Sequence, residues 1–198
     1  MRFLKIPAFA KVNLCLQVVG RRADSYHDLR TIFQTISLHD TLKISLHAGR
    51  GIELACDDPS LATEKDNLVW RAADALRREL NLRQGVRLRL TKRIPVARGL
   101  GGGSSDAAAT LVGLLRLTGQ RLPLARLSEI AAGLGADVPV FLLGGRALGV
   151  GRGDQIFPLP DGPRRTVVVV SPQGIAVSTR EAFGWLHRKL TKTAPDPR

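Results

Sequence analysis

A glycine-rich segment in the middle of the chain has the composition of a phosphate-binding loop. Its glycines are Gly99, Gly101, Gly102 and Gly103, and a predicted helix begins directly after them at Ser104 or Ser105. Glycine lets backbone N–H groups approach an anion because no Cβ intervenes. The first turn of the helix adds N–H groups without internal partners and the positive end of the helix dipole. The segment therefore predicts a cradle for phosphate.

This loop differs from the two most familiar phosphate-binding patterns. A P-loop has Lys and then Ser or Thr after its last glycine, whereas Ser104, Ser105 and Asp106 follow here. The dinucleotide fingerprint has a third glycine at the place of Ser104. A flexible glycine linker is the plain alternative, but a linker seldom runs straight into a well-formed helix.

Residue types alone do not select a catalytic pair. Phosphoryl transfer needs the acceptor hydroxyl held in line and its proton shared. A Lys–Asp pair suits that task, because the cation stabilises the developing alkoxide and the carboxylate accepts or orients the proton. Asp137 lies between Ala136 and Val138 at the start of an apolar run. Either catalysis or a simple turn cap would explain a carboxylate at that place.

The elements that must position these groups follow from periodicity. Strands are predicted over 12–19, 41–46, 86–92 and 141–148, and a continuous apolar run predicts an interior strand over 166–170. Helices are predicted over 67–80, 107–117 and 124–134, and a capping box predicts another over 178–190. Helices and strands do not alternate strictly, which favours an α+β class over a doubly wound sheet.

Composition narrows the functional class only slightly. The net charge of +13 attracts anions such as nucleotides, phosphorylated metabolites, nucleic acid or acidic lipid. Two cysteines, Cys15 and Cys56, make neither a disulfide framework nor a metal site. The N-terminal residues do not resemble a signal peptide, and no apolar stretch reaches the length of a membrane span. We expect a soluble cytoplasmic protein.

The glycine segment also carries a family resemblance. It resembles the second motif of the GHMP kinases over the run Pro95-x-x-x-Gly99-Leu100-Gly101-Gly102-Gly103-Ser104-Ser105-Asp106-Ala107. Three glycines before the serines are similar to the branch of that superfamily that acts on a diphosphocytidyl-methylerythritol. The resemblance implies an α+β GHMP kinase fold. In that fold, residues 1–160 form a two-layer, ribosomal-protein-like ATP-binding domain, and residues 161–198 begin a second α+β domain.

The resemblance extends from Phe9 to about Trp185, and family members continue beyond residue 198. It therefore implies that the C-terminal part is missing, together with the third glycine-rich motif of the family. An unfinished second domain predicts an exposed strand edge and self-association.

The resemblance assigns the catalytic and nucleotide-binding residues. Lys11, in a segment similar to the first GHMP motif, pairs with Asp137. ATP is wrapped by the loop, with Asn67 on the adenine side and a hydroxyl of Ser104 or Ser105 offered to Mg²⁺. The implied ATP-binding residues are Pro95, Val96, Ala97, Arg98, Gly99, Leu100, Gly101, Gly102, Gly103, Ser104, Ser105 and Asn67, and the implied metal ligand is Ser105.

The resemblance also assigns a cytidyl substrate site. The segment 24–34 is similar to the cytidine-binding part of that branch, which usually has Gly at the place of Ser25. The implied substrate-binding residues are Asn13, Tyr26, His27, Phe33 and Phe183. Taken alone, Phe33, Tyr26 and His27 read as a core aromatic, a surface tyrosine and a loop histidine, and Phe183 fits the core face of its helix equally well.

Together these assignments imply an ATP- and Mg²⁺-dependent kinase for the 2-hydroxyl of the diphosphocytidyl-methylerythritol, in the non-mevalonate isoprenoid pathway. Its partners would be small molecules, with no nucleic acid or membrane. The alternatives are another GHMP small-molecule kinase, a fragment that binds nucleotide without turnover, and an RNA-binding module. The last is disfavoured because the basic residues are spread along the chain without a stacked aromatic–basic motif.

Overall fold

A computed structural model describes residues 3–24, 26–170 and Ala182. The strands are β1 (Phe3–Arg21), β2 (His27–His47), β3 (Ile52–Cys56), β4 (Gly85–Thr91), β5 (Arg146–Gly151) and β6 (Gln155–Leu159). The helices are α1 (Leu68–Glu79), α2 (Gly102–Thr118), α3 (Leu124–Leu134) and α4 (Val138–Leu143).

The long strand β2 organises the sheet, whose order is β3-β4-β2-β5-β6. Antiparallel β1 pairs with β2 along its length, while β5 pairs with the first half of β2 and β4 with the second half. The β1–β2 register shifts between Phe9 and Lys11 and again between Asn13 and Cys15. Such irregularities turn side chains away from the regular alternation, and they bracket Lys11 and Asn13.

One face of the sheet is covered by helices. The alternating apolar residues of β2 and β4 are buried there, and α1 and α2 pack over them with their own apolar faces. Lys43 and Arg87, at the intervening positions, are exposed on the opposite face. The period-two pattern of these strands therefore yields a two-layer α+β unit.

Several predicted elements are confirmed. The helices predicted over 67–80 and 124–134 correspond to α1 and α3, and Asn67 is the N-cap of α1. The strands predicted over 41–46 and 86–92 lie in β2 and β4, and the strand over 12–19 is part of the longer β1.

Three predicted elements need correction. Helix α2 begins at Gly102 rather than at Ser104, because Gly101 takes the left-handed N-cap conformation. The strand predicted over 141–148 is wrong in its first half, which belongs to α4. A short apolar run fits either period, and Pro139 in the first turn suits a helix.

The strand predicted over 166–170 is also wrong. These residues have no strand partner among the described residues, and Val168 and Val170 are 81% and 85% exposed. The helix predicted over 178–190 lies outside the described residues except for Ala182, which is helical. In the part of the chain that is described, no helix is both long and apolar enough to cross a membrane.

The packing of α2 on the sheet leads to a stability prediction. A Cβ at Gly113 would lie 2.4 Å from Cδ1 of the buried Ile44. We expect Gly113→Ala to lower the free energy of unfolding by about 1–3 kcal/mol, because the core is overpacked. Adding Ile44→Val removes the clashing methyl and should recover part of the loss. Urea denaturation measures both effects.

A matched control is Gly133→Ala in α3, because a Cβ there meets nothing within 4 Å. Its free energy of unfolding should stay constant or rise by up to about 1 kcal/mol through helix propensity. An equal loss at both glycines would contradict the packing argument.

Candidate active site

The glycine-rich loop joins β4 to α2 and has an alternating backbone. Ala97, Gly99 and Gly101 have φ values of +56°, +73° and +71°, whereas φ is not positive at Arg98 and Leu100. Alternation of this kind turns successive N–H groups toward one side and forms an anion-binding concavity. Positive φ is uncommon for a residue other than glycine, so the conformation of Ala97 must be held by its surroundings.

The first turn of α2 continues this N–H-rich surface. Its N-cap is Gly101, which provides no side-chain cap, and the Gly101 carbonyl accepts the N–H of Ser105 at 2.9 Å. The N–H groups of Gly102, Gly103 and Ser104 therefore have no partner inside the helix. Gly103 is exposed, so the turn is open to solvent.

Lys11 and Asp137 meet beside this loop. The backbone N–H of Lys11 donates to the carbonyl of Leu100 at 3.0 Å. The Nζ of Lys11 lies 3.4 Å from Oδ2 of Asp137 and donates to Oδ1 of Asn13 at 2.7 Å. The Lys11 side chain is 8% exposed and that of Asp137 is 37% exposed. A buried cation thus faces a carboxylate that solvent can reach.

Asp137 does not act as a helix cap. It occupies the N-cap position of α4, but its side chain makes no capping hydrogen bond. The simple turn-cap interpretation of this carboxylate is therefore wrong, and its close partner is the ammonium of Lys11.

The approach of the loop to this pair requires glycine. A Cβ at Gly101 would lie 2.6 Å from the ring of Phe141 and 3.1 Å from the Lys11 side chain. A side chain would therefore force the loop away from Lys11.

Asn13 connects the pair to the sheet. Its Nδ2 donates to Oγ1 of Thr31 at 2.6 Å, and that hydroxyl donates to the carbonyl of Cys15 at 2.7 Å. The chain of hydrogen bonds orients the Asn13 amide so that its oxygen faces Lys11. No feature of the sequence pointed to Thr31, because its role depends on the β1–β2 register, in which it pairs with Leu16 and its hydroxyl reaches Asn13.

Phe33 has a different place from the one expected. Its side chain is 2% exposed and packs with Val140 and Ala147. Its ring centroid lies 5.4 Å from Nζ of Lys11. The ring has no free face for a pyrimidine. It instead lies against the Lys11 side chain, and its weakly negative face attracts the ammonium.

Tyr26 and His27 lie at the far end of the β1–β2 hairpin. The N–H of Tyr26 donates to the carboxylate of Asp24 at 3.1 Å, and Arg22 pairs with that same carboxylate. The ring of Tyr26 is exposed, and the guanidinium carbon of Arg152 lies 5.2 Å from its centroid. Six residue steps along β2, or roughly 20 Å, separate His27 from Phe33, which pairs with Asn13.

Asn67 and Ser105 were also expected in the site, and each has an environment different from the expected one. Asn67 uses its amide to cap α1, accepting from the N–H of Val69 at 2.8 Å and donating to the carbonyl of Ala62 at 2.7 Å. Ser105 is 3% exposed, so Ser104 is the accessible one of the two hydroxyls. Phe183 lies outside the described residues.

A cluster of buried charges behind the loop was missed by the sequence reasoning. We call Asp40, Lys92 and Asp106 the loop-base cluster. The Nζ of Lys92 donates to Oδ2 of Asp106 at 2.8 Å and also to Asp40. Lys92 and Asp40 read as ordinary charges in the sequence because 52 residues separate them. Only the pairing of their strands brings them together.

Burial sets the protonation of this cluster. Burial raises the pKa of Asp106 to about 7, although the Lys92 ammonium opposes the change. Burial also lowers the pKa of Lys92, but the charges and hydrogen bonds of Asp106 and Asp40 outweigh it, so that pKa is raised. Lys92 therefore stays charged. Asp40 is enough to neutralise it, so Asp106 is the second, surplus carboxylate of the cluster.

A resident metal centre does not form from the described residues, which contain no group of three or more His, Cys, Asp and Glu side chains placed to hold an ion. Magnesium in nucleotide enzymes is commonly held by one or two carboxylates together with the phosphates of the substrate. Of the two serines expected to offer a hydroxyl to Mg²⁺, Ser104 is the one that solvent reaches, so it could add one ligand to those of the phosphates.

Comparison with known proteins places this geometry in a family. The model of the GHMP kinases N terminal domain matches residues 67–145. The 4-diphosphocytidyl-2-C-methyl-D-erythritol kinase of Solibacter usitatus (strain Ellin6076) is 51% identical over 190 residues, which are 96% of this chain and 59% of that protein. The kinase of the same name from Geobacter sulfurreducens is 45% identical over 193 residues, 98% of this chain and 67% of that protein.

A solved structure of the same family is also similar to this chain. A crystal structure of 4-(cytidine 5'-diphospho)-2C-methyl-D-erythritol kinase superposes with a TM-score of 0.68 at 42% identity. The match covers 79% of this chain and 55% of that one. The chain thus spans a little over half to two thirds of the length of these relatives.

The raised pKa of Asp106 predicts a pH dependence of stability. Between its ordinary value of 3.8 and about 7, the folded protein binds more protons at this site than the unfolded chain. The contribution of Asp106 therefore destabilises the fold as pH rises through this window. Asp106→Asn lacks the titrating group, so its free energy of unfolding should gain on wild type between pH 5 and pH 8. The gain should be on the order of 2–4 kcal/mol.

Urea denaturation of both proteins at the two pH values measures this change. Asp106→Ala should show the same pH slope, because it also lacks the titrating group. A difference from wild type that stays constant across the range would contradict the assignment.

Proposed function

Because the chain belongs to the GHMP kinases, in the branch of the 4-diphosphocytidyl-2-C-methyl-D-erythritol kinases, we propose that it transfers the γ-phosphate of ATP to the 2-hydroxyl of that cytidyl substrate. This is a step of the non-mevalonate isoprenoid pathway. The single observation that carries the proposal is the Lys11–Asp137 pair, 3.4 Å apart and joined to the glycine-rich loop through Leu100.

The loop and the first turn of α2 bind the triphosphate in this proposal. Alternating φ values at Ala97, Gly99 and Gly101 and the uncapped N–H groups of the helix supply neutral donors. Neutral donors can surround an anion without the desolvation that a buried cation requires. Mg²⁺ bound with the nucleotide would neutralise phosphate charge as the reaction proceeds.

Lys11 and Asp137 activate the acceptor alcohol. The exposed carboxylate of Asp137 orients the hydroxyl and accepts its proton. The Lys11 ammonium stabilises the negative charge that develops on that oxygen, and it acts in a nearly water-free place. Asn13 and the ring of Phe33 hold this ammonium in position.

The cytidyl end of the substrate lies along the β1–β2 hairpin toward Tyr26 and His27. Tyr26 presents an exposed ring on which a pyrimidine can stack, and His27 carries ring nitrogens suited to a base edge. The strand length of roughly 20 Å from Phe33 suits an acceptor whose base and reacting hydroxyl are joined by a diphosphate. A compact acceptor such as mevalonate or homoserine would leave this end of the hairpin unused.

A second candidate function is nucleotide binding without turnover. The chain covers 59% of the Solibacter relative, and the loop and the Lys11–Asp137 pair both lie within the covered part. The two candidates share the phosphate site and differ only in whether ADP is released.

Asp137→Asn separates chemistry from binding. The substitution keeps the shape of the side chain but removes the proton acceptor, so turnover should fall by about 10²–10⁴-fold while ATP affinity persists. ADP release with the cytidyl substrate measures turnover, and calorimetric titration with ATP measures affinity. Mevalonate and homoserine serve as comparison acceptors and should give no release.

Two results of the same assays would count against the kinase proposal. ATP binding by the wild-type chain without ADP release would favour the second candidate. Equal turnover by Asp137→Asn and wild type would remove Asp137 from the reaction.

Gly103→Ala tests the phosphate site itself. A Cβ there meets only Leu68 at 3.6 Å, so the fold should tolerate the substitution. The methyl group would stand among the free N–H groups of the first turn, and ATP affinity should fall by roughly tenfold or more because phosphate is displaced. Gly133→Ala, which makes the same change in an exposed turn of α3, should leave affinity constant. Unchanged ATP affinity in both variants would mean that the phosphates bind elsewhere.

A further inference from the structure

The loop-base cluster closes the ends of the glycine-rich loop. Lys92 is the first residue after β4, and Asp106 lies in the second turn of α2. Their side chains meet at 2.8 Å across the whole length of the loop, and they are 8% and 2% exposed. The contact therefore sets how far apart the two ends of the loop can lie.

Asp40 attaches this closure to the sheet. Its fully buried carboxylate, at the middle of β2, accepts from Lys92 and from the backbone N–H groups of Arg93 and Ile94. The backbone N–H of Lys92 donates to Oδ1 of Asp57 at 2.8 Å. Both the side chain and the backbone at the start of the loop are thus held by residues outside it.

The cluster lies directly beneath the proposed phosphate site. A Cβ at Gly102 would lie 3.3 Å from Nζ of Lys92 and 3.0 Å from Ile94, so the first turn of α2 rests on these side chains. The left-handed backbone of Ala97 in the same loop is a conformation that persists only when its neighbours determine it.

We propose that the Lys92–Asp106 contact, anchored by Asp40, is a positioning device that holds the glycine-rich loop in its anion-binding shape. Its members are positioning residues, because they are buried beneath the loop and act through its backbone. The identity of the ligand as a nucleotide rests on the proposed function. The effect of the contact on the shape of the loop does not rest on the proposed function.

Charge balance argues that this contact is more than a stabilising ion pair. Asp40 alone would neutralise Lys92, yet a second carboxylate is buried beside them. Oδ1 of Asp106 has no hydrogen-bond partner among the described residues. An extra buried carboxylate with an unpaired oxygen costs stability. What Asp106 contributes is a hydrogen bond that ties Lys92 to α2.

Two substitutions at one position test the proposal. Asp106→Asn keeps an oxygen that can accept from Lys92, whereas Asp106→Ala removes it and leaves the Asp40–Lys92 pair balanced. Asp74→Ala in α1 is the control, because it removes a helix carboxylate paired with Arg78 away from the loop. The readouts are thermal unfolding at pH 7.5 and, without ligand, amide hydrogen exchange of Lys11 and Ser105. The N–H groups of these two residues donate to the loop carbonyls of Leu100 and Gly101, so they report exchange in the loop.

Exchange in the loop should become faster in Asp106→Ala and stay as in wild type in Asp106→Asn and Asp74→Ala. The melting temperature of Asp106→Ala should not fall, so local loosening is separated from global destabilisation. Equal loop exchange in all four proteins would overturn the proposal. So would faster exchange spread evenly over the chain together with a lower melting temperature.

A second measurement links the loop to the ligand. Calorimetric titration with ATP should show an affinity roughly tenfold weaker in Asp106→Ala and restored in Asp106→Asn, because a displaced loop loses aligned donors. Equal ATP affinity in wild type and Asp106→Ala, despite a loosened loop, would overturn the positioning role. An absence of ATP binding by wild type would contradict the proposed function, and the exchange experiment would still decide the role of the cluster.

Discussion

The backbone contact between β1 and the glycine-rich loop is the constraint on which the site depends. The N–H of Lys11 donates to the carbonyl of Leu100, so the loop cannot move without moving the strand that carries the lysine. The register shifts on either side of Lys11 and Asn13 turn both side chains to the place where the loop arrives. Gly101 allows the approach, because any larger residue would contact Phe141 and Lys11. The contact thereby fixes the distance between the proposed phosphate donors and the proposed catalytic pair.

Two different groups of buried residues lie beneath the site. Beneath Lys11 lies an apolar support, the ring of Phe33 with Val140 and Ala147. Beneath the loop lies the charged loop-base cluster. Above the apolar support, the Lys11 ammonium makes its polar contacts with Asp137 and Asn13. The charged cluster instead fixes backbone that has few side chains of its own to pack. A loop rich in glycine gains little burial energy, so its shape depends on hydrogen bonds from outside.

Much of the architecture could be predicted, and the failures have specific causes. Helix α1 has a capping asparagine, α1 and α3 have periodic apolar faces, and β2 and β4 have clear alternation, so local preference and tertiary packing agree. The strand predicted over 141–148 is wrong in its first half because a short apolar segment fits two periods, and only the turn at Gly144 and Gly145 divides helix from strand. The valines at 167–170 suggested an interior strand, but a strand exists only where a neighbour pairs with it.

The sequence by itself determined the kind of site. The glycines before α2, and the motif resemblance that selected Lys11 and Asp137, depend on local composition and order, which a chain carries without folding. The tertiary structure decided which of the candidate side chains stay accessible at the proposed site and which are buried in the interior. It buried Phe33 and Ser105, used the amide of Asn67 as a helix cap, and joined Asp40 to Lys92 and Asp106 across distant segments. These outcomes depend on strand register and burial, which arise only between elements far apart in the chain.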